Sequence, residues 1–294
     1  MICENGNVGL PRQVTVWLDE LAPARGTFAH ALEWAALLNL RLHGVISTEQ
    51  RMPSVDAEAI AACKAICGRF NVAWSCSYEA AGSAHAMDEP PRANQLCVLG
   101  GAIPMPQQRR LVREALARTH AGPLVCPRAW GTLRRALVIN AGNASQRFLS
   151  SAARICCEAA AQSSVLTLAS SEEDAMCGQE QAIRAFADER VKADFQYVVC
   201  DNLRTAVMVI GRWRRCSHVF MEKKTDPWFR RWLGTDLIEY ILELSETFAV
   251  LAIPSAGFSW EVTSRADGAG VPAGIESTDP MESISENLRH TSAR

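Results

Sequence analysis

The sequence lacks any apolar run near the roughly 18–20 residues needed to cross a bilayer, so no membrane span is expected. Its first residues, Met1-Ile2-Cys3-Glu4-Asn5-Gly6, carry no basic start followed by an apolar stretch, and no secretory signal is expected. Neither sign of charge dominates. With 30 Lys and Arg against 32 Asp and Glu, the net charge is −2, which argues against a dedicated nucleic-acid or membrane-surface binder. The chain also lacks a Gly-x-Ser-x-Gly elbow, a His-Glu-x-x-His pair and a Gly-x4-Gly-Lys-(Ser/Thr) loop, and its six histidines are scattered. No nucleophile or acid–base pair stands out, so the expectation is a protein that is not an enzyme. Cys63 and Cys67 are spaced i, i+4, but no second pair with metal-site spacing accompanies them, and no metal site is expected. The 11 cysteines are odd in number and fall mostly in apolar runs. Buried free thiols behave as small hydrophobes, and a reducing cytoplasm suits them better than a disulfide framework does.

What is present is repetition. The 294 residues suggest about two domains, and 48% apolar with 21% charged residues is an ordinary globular balance. Short β-rich runs at 14–18, 42–46, 72–76, 96–99 and 123–126 alternate with helical spacings such as Phe28, Ala31, Leu32 and Ala35. The order restarts with runs at 136–139, 164–168, 195–200, 219–221 and 248–253. Strands alternating with helices predict parallel sheets covered on both faces, and continuous apolar strands agree with burial on both sides. Right-handed crossovers make such sheets doubly wound, with ligands beyond the carboxyl ends of the strands. The fold class is therefore α/β: two tandem, doubly wound, parallel five-stranded sheets. The expected domains are 1–130 and 131–257, joined by a linker at 127–132. A Ser-, Gly- and acid-rich tail over 258–294 is expected to be disordered.

Several segments together resemble the universal stress protein family. They are Ala31-Leu32-Glu33-Trp34-Ala35 after an acid-ended strand, Leu42-His43-Gly44-Val45-Ile46, Leu96 to Gly100, Trp232-Leu233-Gly234-Thr235, and Phe248 to Pro254. The resemblance covers about 12–256 as two copies and implies a Rossmann-like fold of the adenine-nucleotide α-hydrolase-like kind. It also implies a bacterial-type stress-response protein, with ATP or AMP as ligand. In the family the last strands of two domains pair edge to edge. In this chain Pro123–Cys126 and Phe248–Ile253 are the strands expected to do so, making an internal pseudo-dimer. Further partners implied are another protein or a second copy through edge strands, and not nucleic acid.

Family members that hold ATP carry Gly-x2-Gly-x9-Gly-(Ser/Thr) after the fourth strand, because glycines admit phosphate close to the backbone and helix-start amides attract it. Here the match is partial. Gly100 fits the first glycine of the first half, but Ile103 replaces the second. In the second half Met221 and Lys224 stand where glycines belong when counted back from Gly234-Thr235, or Glu222 stands at the first glycine when aligned by the strand, and Glu222 would repel phosphate. Asp19 matches the acidic residue that contacts adenine; its second-half counterpart is Asn140 or Ala141. The resemblance thus nominates Asp19, Gly100, Lys224, Gly234 and Thr235 as cofactor-binding residues, with family-type ATP binding lost or weakened. A plainer role for Thr235 is as N-cap of the last helix. The densest basic stretch, Arg212, Arg214 and Arg215 with Lys223, Lys224, Arg230 and Arg231, is interleaved with Trp213, Trp228, Phe229 and Trp232. It reads either as an anion, nucleotide or nucleic-acid contact or, as the overall charge favours, as a solvated face whose long side chains cover apolar surface.

Overall fold

A computed structural model describes residues 13–18, 26–47, 53–79, 95–100, 105–117, 121–126, 131–141, 144–200, 203–224 and 236–255. The segment 258–294, expected to be a tail, lies outside them. The strands are β1 Gln13–Leu18, β2 Arg41–Ser47, β3 Trp74–Glu79, β4 Gln95–Leu99, β5 Ala121–Val125, β6 Arg135–Ala141, β7 Gln162–Ala169, β8 Ala193–Val199, β9 His218–Lys223 and β10 Ala249–Pro254. The helices are α1 Gly26–Leu37, α2 Pro53–Arg69, α3 Met105–Ala117, α4 Gln146–Glu158, α5 Glu172–Asp188, α6 Leu203–Trp213 and α7 Leu237–Leu244.

All ten strands join one sheet, in the order β3-β2-β1-β4-β5-β10-β9-β6-β7-β8. Neighbours are parallel except β5 and β10, which meet antiparallel through Val125↔Val250 and Leu124↔Leu251. Each half thus contributes five parallel strands in the same spatial order, and the strands expected to pair edge to edge do so. The two expected sheets are one sheet with a seam, because an unpaired last strand would leave a row of backbone donors and acceptors open to any other chain.

The register relates the halves residue by residue. Leu124 faces Leu251 at the seam. Outward from it, Leu124 pairs with Val98, and Val98 with Val16; on the other side Leu251 pairs with Phe220, and Phe220 with Val138. All six side chains lie in one core on one face of the sheet, as a two-fold relation normal to the sheet requires. Val98 therefore corresponds to Phe220, and Val16 to Val138. Two residues further on, Gly100 corresponds to Glu222. By the same register Asn140 corresponds to Leu18, the last described residue of β1.

Helix ends follow one rule. Asn39, Asn71, Ala160, Arg190 and Arg215 have φ between 47° and 58°. The amides that follow them bond back over the last turn, for instance Leu40 N–H to Ala35 O at 2.8 Å and Val72 N–H to Cys67 O at 2.9 Å. This is the Schellman geometry. It corrects the third strand: Val72 belongs to the end of α2, and β3 starts two residues after it, at Trp74.

Two cores run the length of the sheet. One face carries α1, α2, α4 and α5, the other α3, α6 and α7, and each core takes residues from both halves. Helix α1 is buried at every position from Thr27 to Ala35, because it faces the second half as well as its own strands. Trp34 meets Phe220 and His218, and His30 meets His218, each with ring centroids 6.1 Å apart. The buried Glu33 carboxylate accepts the Leu133 amide at 2.9 Å, which pins the connector between halves. Across the other face Arg109 on α3 grips Glu239 on α7 through two contacts of 2.7 and 2.9 Å. Among the described residues no helix is long and apolar enough to cross a membrane.

Candidate functional site

The strand order reverses between β1 and β4 in the first half and between β6 and β9 in the second, and ligands of doubly wound sheets bind above the carboxyl ends of strands at such points. Because β5 and β10 run antiparallel, the two switch points open at opposite edges of the sheet. Gly100 belongs to one and Lys224 to the other, so the topology does not bring these two nominated residues together. Asp19, Gly234 and Thr235 lie outside the described residues.

In the first half the backbone beyond β4 turns at Gly100, buried against the start of α1. A Cβ there would stand 1.6 Å from Thr27 Oγ1 and 2.8 Å from Thr27 Cβ. The Gly100 carbonyl accepts Gln108 Nε2 at 3.1 Å. Glycine at this position makes room for Thr27, a residue of the chain itself.

In the second half the corresponding position is Glu222, 5% exposed. Its two carboxylate oxygens accept the Ser145 amide at 3.2 and 3.3 Å, at the N-terminus of α4. Helix starts attract anions, and here the anion is internal. Lys224 Nζ lies 3.0 Å from Glu222 Oε2, so the nominated lysine is paired with a carboxylate of its own strand end. Ser145 caps α4 by accepting the Phe148 amide at 3.1 Å, and its hydroxyl donates to Ser255 O at 2.6 Å. The next residue back, Lys223, reaches into the first half and donates to Ala115 O at 3.2 Å, near the C-terminus of α3. Burial pushes its ammonium down to about 8. The Ser145 role was missed from sequence, although Ser145 directly before the periodic α4 residues is an N-cap signal. The N-cap of α7 is Asp236, not Thr235.

Below this edge, Asn140 at the end of β6 is fully buried and donates to Gly178 O at 2.7 Å and Thr167 Oγ1 at 3.2 Å. The ten described cysteines are all free thiols. Burial pushes Cys63, Cys67 and Cys156 up to about 12, which makes them poor nucleophiles at neutral pH. Among the described residues no group of three or more His, Cys, Asp or Glu side chains could hold a metal ion.

The arrangement of strands can be set beside solved structures. A crystal structure assigned as a universal stress protein from Pseudomonas aeruginosa UCBPP-PA14 superimposes with a TM-score of 0.55, covering 97% of this chain and 98% of that one at 13% identity. A universal stress protein from Archaeoglobus fulgidus DSM 4304 gives 0.51, covering 82% and 97% at 9% identity. The fold is that of the universal stress proteins. The cytoplasmic domain of a prokaryotic cation chloride cotransporter shares it, with a TM-score of 0.55, 84% and 96% coverage and 10% identity. No protein-family model matches the sequence, and no curated protein matches it. At these identities the universal-stress-protein likeness is one of fold, and what either switch point does must come from its own residues.

Proposed function

We propose that the chain is a non-catalytic binding or regulatory protein of the universal stress protein type, built as an internal pseudo-dimer, with family-type ATP binding lost or weakened. The observation that carries this reading is the Glu222 carboxylate. It occupies the register position of Gly100 and takes up the Ser145 amide, a helix-start donor that would otherwise face an incoming anion. Incoming phosphate would meet this carboxylate, whose charge Lys224 offsets only in part, and would have to compete with it for both the amide and the lysine. In the first half the Thr27 side chain packs where a Cβ on Gly100 would stand. A regulatory role accords with two cores that span both halves, since a partner engaging one half is felt by the other.

The test is site-specific. Amide resonances of Ser145 and Gly100 are followed in the full-length protein while ATP or AMP is added to millimolar concentration. The expected result is no movement of either. Saturable shifts at both amides would replace this reading with that of an adenine-nucleotide stress sensor.

A further inference from the structure

We propose that the amino ends of β6, β7 and β8 form a second, separate binding site for a small aromatic phosphate, of which a nucleoside monophosphate is the simplest example. A cleft of about 630 Å³ opens there, within the size range of small-molecule sites. It is lined by Arg135, Lys192, Arg214, Arg215, Asp194 and Trp213. Four cations thus face one carboxylate in a chain whose net charge is −2. Asp194 is already engaged by Arg214 Nη1 at 3.2 Å. Among the described residues Lys192 and Arg215 have no carboxylate partner, and the buried Arg214 Nε has no hydrogen-bond partner. Trp213 is 68% exposed at the end of α6, with the Arg214 guanidinium 4.7 Å from its ring centre. An exposed indole beside unspent cations offers a stacking surface next to phosphate donors.

The first half shows that the fold does not need these charges. By register Arg135 corresponds to Gln13, Lys192 to Ala73 and Asp194 to Ser75. The equivalent strand ends carry one cation there, Arg41 at the register position of Gln162, so the charges at Arg135 and Lys192 are particular to the second half. Cleft size and slightly acidic overall charge favour a small ligand over a nucleic-acid strand.

The site lies at the opposite ends of β6–β8 from Glu222, so it stands or falls independently of the switch-point reading. The experiment is calorimetric titration of the full-length protein with AMP, inorganic phosphate and a uridine hexanucleotide, with the Trp213 indole N–H followed by NMR. AMP is expected to bind saturably and shift that indole while Ser145 and Gly100 stay still. Trp213→Ala should weaken AMP by at least about fivefold and leave phosphate unchanged; Lys192→Glu should weaken both. Both substitutions are at exposed positions, and circular dichroism checks their folding. Absence of saturable AMP binding below about 5 mM overturns the proposal. So does AMP binding that neither substitution alters, or hexanucleotide binding tighter than AMP.

Discussion

Gly100 and Glu222 occupy one structural position and solve one steric and electrostatic problem in two ways. At Gly100 a methyl group would have to displace Thr27, whose Oγ1 can rotate away but whose Cβ, 2.8 Å off, is fixed to the start of α1. Gly100→Ala should therefore destabilise by about 1–3 kcal/mol, the usual cost of overpacking, read from urea unfolding. An unchanged midpoint would mean that the end of β4 gives way freely. The importance of Gly100 was legible in the sequence, since glycine after an apolar strand is a familiar signal, but its reason was not. The sequence suggests close approach of a phosphate, whereas the group that approaches the glycine in the structure is Thr27, 73 positions earlier. The acidic residue at the matching strand end, Glu222, was legible too. Its bond to Ser145, 77 residues away, was not, because no local pattern encodes which helix start a strand end will meet.

At the scale of elements, the repeated strand–helix order was readable because apolar runs and 3.6-residue spacing are local signals. The exact strand starts were not, because five helices end on residues other than glycine, and three of those, Ala160, Arg190 and Arg215, do not announce a stop. Glycine is the usual occupant of that left-handed position, yet here it is Asn39, Asn71, Ala160, Arg190 and Arg215. Asparagine tolerates the conformation; alanine and arginine bear a strain of roughly 1 kcal/mol. Ala160→Gly and Arg190→Gly are each expected to raise stability by about 0.5–1 kcal/mol, less the entropy glycine adds to the unfolded chain. Chemical denaturation of each single variant checks this, and Asn71→Gly should gain less than either.

At the scale of the whole molecule the seam is buried on both faces. Strand β10 is buried along its full length, and both cores cross from one half to the other. Calorimetry is expected to show a single unfolding transition, and two resolved transitions would mean that the halves are energetically separate. The seam also carries a pH dependence. His30 on α1 and His218 on β9 come from different halves and meet edge to face with Glu33 one turn along α1. Burial holds His30 down at about 4, and burial together with His30 holds His218 well below its ordinary 6.5. Both rings are therefore neutral in the native state at pH values where the unfolded chain would protonate them. The unfolded state then binds more protons, so stability rises with pH. The contribution is fully present above 6.5 and is lost as pH falls, levelling off for His30 below about 4. Each histidine contributes a slope of up to about 1.4 kcal/mol per pH unit within that window. Replacing His218 by Gln should flatten the dependence of unfolding free energy between pH 6.5 and pH 4.5 by about that slope relative to the parent protein. Parallel curves for the two proteins would show that His218 does not titrate on unfolding and that acid loosens the seam by another route.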